Sequence, residues 1–437
     1  MLMVLFFFFF LYSFDLYYFC FFFMFSFVFW FIFFFLFFFF SVLYLFFYFF
    51  IDNFSYVFCC LWIWLGIMMI LSMYMYFFIN FNYFFFYVCT MMMMLLLVFL
   101  VVDVFFFFFF FEFSLIPMFL IVFGWGYQPE RLMAGFYLIF YTLFASLPFF
   151  LVILSEIELN GEFNFFFGVK MMSMFKMFFL IFSFLVKFPM FGFHSWLTKA
   201  HVEAPVSGSM ILAGVMLKLG GYGFIRCMDF IYFYLLKFSH FFITVSMYGG
   251  ILIGFFCFIQ SDMKILIAYS SICHMSLVIS GLFSLSSWSV LGSVVFMLGH
   301  GFTSSGLFYL IGLIYDRFSS RSFFLIKGLL LVYPSLGLMW FFLCSLNMSC
   351  PPSISLMSEM LLILGLLSWS NFMLIFLFFS LFLSACYSMT FFFLCQHGNL
   401  SFLFKITGNC VVREYLVLFF HIFLLFIFFY FKIYYLF

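Results

Sequence analysis

The sequence predicts an all-α polytopic membrane protein with about fourteen transmembrane helices, at ~20 residues for each crossing of the hydrocarbon core. Three observations lead there. Hydrophobic residues make up 70% of the chain and charged residues 7%, with a mean hydropathy of +1.38. No soluble fold covers its surface with so few charges, so the surrounding solvent is lipid. Apolar runs recur along the whole chain, divided by short polar or glycine- and proline-bearing connectors that leave no room for a soluble domain.

The same numbers exclude several functions. A net charge of +1 offers no basic surface, so no nucleic acid is expected as a partner. The chain is apolar from Met1, with no basic leader region and no small-residue cleavage site, and reads as a first span rather than a removed signal. The 97 phenylalanines in 437 residues exceed what packing requires, since Leu or Val satisfies lipid equally well. This excess reads as the codon bias of a small organellar genome. The twelve cysteines show no CxxC pair and no Cys/His ligand spacing, so they read as small apolar core residues with no metal or iron–sulfur site.

Taken in order, residues 1–50 hold two spans, and further spans fall near 56–79, 83–102, 104–123 and 133–155. The turn residues of Gly124–Arg131 (GWGYQPER) separate the last two. No Lys or Arg precedes Arg131, so charge asymmetry gives no orientation for this first third. Residues 156–170, with Glu156, Glu158, Glu162 and Lys170, form the most polar stretch and read as a solvated connector. Spans continue near 171–199, 206–226, 240–260, 264–283 and 287–312. A polar loop, Asp316–Arg317 to Arg321, then leads into an apolar segment from about Lys327, which is cut by Asn347–Pro352 (NMSCPP) and resumes through Glu359 to Leu367. Two more spans lie near 371–394 and 414–434.

Ionisable residues inside predicted spans carry the functional argument. Each costs at least ~2.5–3.5 kcal/mol to insert, so each needs a reason to be there. Glu112 stands in FFFFFFFEFSLIP, five residues before Pro117, and Lys187 immediately precedes Phe188–Pro189. Proline disfavours helix at the residue before it, placing Lys187 beside a break. His194 and His201 follow Lys187 at intervals of seven residues, about two turns, so all three share a face if the helix is continuous. Lys218 lies mid-span in the next helix, His274 and His300 in two later ones, and Glu359 about two turns beyond Pro351–Pro352. Bland readings stand beside these. A Glu112–Lys187 pair could merely lock two helices together, and a buried histidine could be a satisfied core residue. His240 and His397 read as loop or interface residues. His194, His201 and Glu203 lack the HExxH spacing of a zinc site. Two carboxylates, two lysines and several histidines at membrane depth nevertheless form what a water-bridged proton path requires.

The stretch KFPMFGFHSWLTKAHVEAPVSGSMILAGVMLKLGGYG (187–223) closely resembles the signature of the subunit 4 family of the mitochondrial NADH:ubiquinone oxidoreductase, respiratory complex I. Further collinear likenesses are FEFSLIP, GWGYQPERLMAGFYLIFYTLFASLP, SDMKILIAYSSICHMSLV, GHGFTSSGLFYLIGLIYDR and NMSCPPSISLMSEM, with Arg413, Glu414 and His421 beyond them. The resemblance implies a fourteen-helix antiporter-like subunit built from two inverted repeats, each with a broken helix. Its parts would be N-terminal helices at 1–103, repeats at 104–226 and 240–394, and a last helix at 414–437. It implies a proton path through Glu112, Lys187, Lys218, His274, His300 and Glu359, with His194 and His201 on the same motif but without assigned roles. This chain would bind no cofactor. NADH, FMN, iron–sulfur clusters and ubiquinone would belong to partner subunits of the complex in the mitochondrial inner membrane. The neighbours implied are the antiporter-like subunits 2 and 5, with membrane lipids, cardiolipin among them. The sequence departs from the family at Thr198, where proline is usual, and at Asp316, where glutamate is common. A sister subunit, an Mrp-type sodium/proton antiporter subunit, a static membrane scaffold and a quinone-binding subunit remain as other readings.

Overall fold

The computed structural model describes residues 50–72, 81–161, 163–165, 173–399 and 410–430, and among them every regular element is helical. The two spans expected before residue 50, and Glu162 and Lys170, lie outside the described residues. The helices are α1 (Asn53–Ser72), α2 (Phe81–Leu100), α3 (Val104–Phe113), α4 (Leu115–Trp125), α5 (Arg131–Asn160), α6 (Met174–Lys187), α7 (Ser195–Glu203) and α8 (Val206–Ile211). There follow α9 (Leu217–Ile259), α10 (Met263–Phe283), α11 (Ser287–Phe318), α12 (Pro334–Asn347), α13 (Ile354–Trp369), α14 (Met373–Gln396) and α15 (Val412–Tyr430).

Proline chemistry sets the interruptions that matter. Pro117 has no N–H for the Phe113 carbonyl, and the helix breaks at Ser114 between α3 and α4. Phe188, held extended by Pro189, ends α6 one residue after Lys187. The break is satisfied from within: the Trp196 indole donates to Val186 O at 3.0 Å and Met190 N to Leu185 O at 3.2 Å. The second break runs between Asn347 and Ser353, whose hydroxyl caps α13 by accepting from Leu356 N. Backbone groups at membrane depth need such partners, because lipid supplies none. The continuous helix that would align Lys187 with His194 and His201 therefore does not form.

Two expectations about connectors are corrected. Glu156 and Glu158 lie in the last turns of α5, and the connector begins at Gly161. Glu156 is buried and pairs with Lys176 of α6 at 2.7 Å, which lets the helix extend through an acidic stretch. The connector expected between the spans near 206–226 and 240–260 is itself helical, and His240, read as a loop or interface residue, packs against the Trp369 ring. No Gly or Pro falls in residues 227–239, so the chain there keeps local helical turns rather than opening into an irregular loop. Even so, the rings of Phe224 and Phe242 both pack on Phe283, at 4.8 and 4.5 Å. A straight helix would separate positions 18 residues apart by ~27 Å. The segment therefore folds back and crosses twice, as the separate spans near 206–226 and 240–260 require.

The helices define two ends of the bundle. One carries Asp52 paired with Arg226, and Tyr222 Oη donating to Phe99 O at 2.9 Å. The other gathers Glu203, Asp262, Arg321 and Gln128, with Arg317 paired to Glu414 nearby.

At the centre runs α11, buried at every residue from 292 to 314 and carrying His300. Small residues let its neighbours approach closely. A Cβ on Gly292 would stand 2.9 Å from Leu362 N in α13, too close for any side chain. Gly292→Ala should force the α11–α13 backbones apart at ~1–3 kcal/mol. Its effect is expected as reduced yield and a lower melting temperature of the assembled complex, measured by native gel and thermal denaturation.

Candidate functional site

The first charged pair sits where α3 meets the end of α6. Lys187 Nζ lies 2.9 Å from Glu112 Oε1 and donates to Phe111 O at 3.0 Å. The lysine is buried, and Glu112 keeps only a small part of its side chain exposed. Ending α6 at Lys187 frees its ammonium to reach across to a helix 76 positions earlier in the chain.

A second cluster is built around Lys218. A single π turn, Leu212–Met216, widens the helix just before it, a distortion that often marks functional positions. The Lys218 ammonium reaches back to Ala213 O and sits 3.0 Å from His300 Nδ1, fully buried. Only one proton can occupy the line between these two nitrogens, so a lysine–imidazole contact of this length is one across which a proton can move. The His300 and His274 rings follow at 5.5 Å between centroids, and His274 Nε2 meets Tyr387 Oη at 3.0 Å. Asn347, at the second break, is buried at the end of α12. Within the same break Ser349 donates to Glu359, which is buried in α13.

The structure thus brings Lys218, His300 and His274 into one row and sets Glu359 behind the second break. Lys187 and Lys218 have no hydrogen-bonding partner in common among the described residues, so the Glu112–Lys187 pair is a separate station. His194 is half-buried beside Phe191 and Tyr269, off the row, with Nδ1 accepting from Gly192 N at 3.3 Å. His201 lies fully buried against Phe308. Thr198, where the resemblance implies proline, occupies a regular first turn of α7 and bonds Ser195 O at 3.1 Å. Nothing in the sequence marks Tyr387, and Asn347 and Ser349 stand out there only as part of the NMSCPP break. Hydroxyls and amides are ordinary in helices, and only their place in the fold distinguishes these three.

Residues 101–384 match the family described as NADH:quinone oxidoreductase/Mrp antiporter, TM. NADH-ubiquinone oxidoreductase chain 4 of Locusta migratoria is 48% identical over 316 residues, covering 70% of each chain. That of Aedes aegypti is 47% identical over 312 residues, again 70% of each. The chain belongs to the NADH-ubiquinone oxidoreductase chain 4 family. Its fold is shared more widely. A chain of respiratory complex I from Thermus thermophilus superposes with a TM-score of 0.80 at 22% identity, covering 89% of this chain and 83% of that one. A chain of an archaeal membrane-bound sulfane sulfur reductase gives 0.77 at 19% identity, covering 86% and 64%. Membership of the chain 4 family makes other complex I subunits the partners of this chain.

Proposed function

We propose that this chain translocates protons as a membrane-arm subunit of NADH:ubiquinone oxidoreductase, in the mitochondrial inner membrane. The observation that carries the reading is the buried Lys218–His300–His274 row in a chain of the chain 4 family. Lysine and imidazole give the row groups that exchange protons, and Glu112–Lys187 and Glu359 flank it. Moving a proton against 100 mV requires ~2.3 kcal/mol, which the opening and closing of buried ion pairs can supply. Electron transfer from NADH through flavin and iron–sulfur clusters to ubiquinone is the work of partner subunits. The antiporter-like subunits 2 and 5 are its neighbours, with inner-membrane lipid, including cardiolipin, around it.

Two features support the finer organisation. The breaks after Lys187 and Asn347 each place polar groups at membrane depth, as expected of inverted repeats at 104–226 and 240–394. Among the described residues Arg131, Lys199, Lys264, Arg317, Arg321, Lys327 and Arg413 lie toward the Glu203 end, against Lys176, Arg226 and Lys237 toward the Asp52 end. This asymmetry favours a matrix-facing Glu203 end.

The test is Glu359→Gln in intact complex reconstituted into liposomes. Glutamine keeps an acceptor for Ser349 but carries no charge. Proton pumping per assembled complex should fall about tenfold or more. Normal pumping would remove Glu359 from the path.

A further inference from the structure

The row of Lys218, His300 and His274 leaves one neighbouring group unused. His201 is fully buried and stacked on Phe308, with centroids 4.6 Å apart and planes within 3°. Neither ring nitrogen has a hydrogen-bond partner among the described residues. An orphaned buried nitrogen costs free energy that a phenylalanine in the same stack would not, so packing gives no reason for histidine here. The Val202 carbonyl next to His201 accepts from Lys264, and Phe308 lies about two turns along α11 from His300. It therefore stands between the central pair and the Glu203 end.

Lys264 lies buried at that end. Its ammonium donates to Ala204 O at 3.0 Å and Val202 O at 3.3 Å, carbonyls at and just past the end of α7, and faces the Tyr127 ring at 4.9 Å. Arg321, Glu203 and Asp316 are the charged groups around it. One Glu203 oxygen is 3.6 Å from Arg321, and the other, Oε2, is buried with no donor among the described residues. Arg321 in turn faces Asp262 at 3.7 Å, whose side chain is 29% exposed, and donates at 2.9 Å to Gln128 at the surface. Solvent is one residue away from the Glu203 carboxylate.

We propose that Lys264 and Glu203 form a proton port at this end, and that His201 relays protons between the port and the Lys218–His300 pair. The proposal rests on the proton-translocation reading. The Lys264 ammonium gives one proton, through bridging water, to a free nitrogen of His201. The neutral amine left behind recovers a proton from Glu203 in its carboxylic acid form, and a hydronium ion from the solvent at Asp262 reprotonates the carboxylate and leaves water. The His201 imidazolium passes its proton to the Lys218–His300 pair when that pair is short of one. Only N–H and O–H bonds form and break, and no electrons move.

Two variants separate this from a capping role for Lys264 and a packing role for His201. Lys264→Arg keeps a cation on the α7 carbonyls but holds its proton throughout. His201→Phe keeps the stack on Phe308 and removes both nitrogens. In intact complex reconstituted into liposomes, both should assemble, keep the KM for quinone and lose about tenfold or more of the pumped proton flux. Wild-type flux in both variants overturns the port. Lys218→Met measured in the same preparation tells which reading has failed: if it alone blocks pumping, translocation stands without the port, and if it too pumps normally, both fall. Should Lys264→Arg fail to assemble, His201→Phe decides alone, loss of flux supporting the relay and retention overturning it.

Discussion

Complex carrying Lys218→Met is expected to assemble at normal levels and to pump protons at least ~100-fold more slowly, the scale of losing a positioned acid–base group. The two halves of this expectation have separate origins. Lys218 is fully buried, and among the described residues its ammonium is held by Ala213 O and His300, with no carboxylate in contact. Methionine has a similar length and no charge to desolvate, so the fold loses little and a buried ammonium is no longer required. What disappears is the amine in contact with the histidine row. Lys218→Arg should fail as well, although it restores the positive charge, because a guanidinium does not release its proton at any pH the complex meets. Pumping rates measured in liposomes against assembly on native gels check both halves. A Lys218→Met complex that pumps at the wild-type rate would exclude a path through this lysine.

The parts of this site that are legible in the sequence are those that cost most. A lysine or glutamate inside an apolar run has no cheap explanation, so Glu112, Lys187, Lys218 and Glu359 stand out in the amino-acid string alone. Pro189 likewise fixes the end of α6 through covalent geometry. Tyr387 and Ser349 are not legible there, because a hydroxyl in a helix normally bonds its own backbone, as many serines of this chain do. Their roles depend on which helices meet, and that is set by packing. Lys264 is obscured differently. At the first turn of a span it looks like a side chain reaching for the membrane surface, whereas the fold buries it beneath α7. Glu156 misleads for the converse reason: an acidic run reads as solvated unless its partner, twenty residues on in α6, is known. The fold-back of α9 lies between these cases, since spacing of the apolar runs requires it while local residue preference runs straight through.

The Glu112–Lys187 pair is where the proton-path and scaffold readings make opposite predictions. Removing one member of a buried pair strands the other, at ~3–5 kcal/mol, so Lys187→Met should reduce assembly whichever reading holds. A single variant therefore decides little. The double variant Glu112→Gln, Lys187→Met removes both charges together and leaves groups of similar volume. Its stability should return close to that of the unmodified chain, because neither desolvation cost remains. The energy by which it departs from the sum of the two single changes is the coupling of the pair. If the pair is only a lock between α3 and α6, pumping must return with assembly. If the ammonium of Lys187, 2.9 Å from Glu112, gives up and regains a proton in each cycle, the double variant assembles and stays about tenfold or more below normal flux. Assembly and pumping then part company, and only a proton-carrying pair lets them do so.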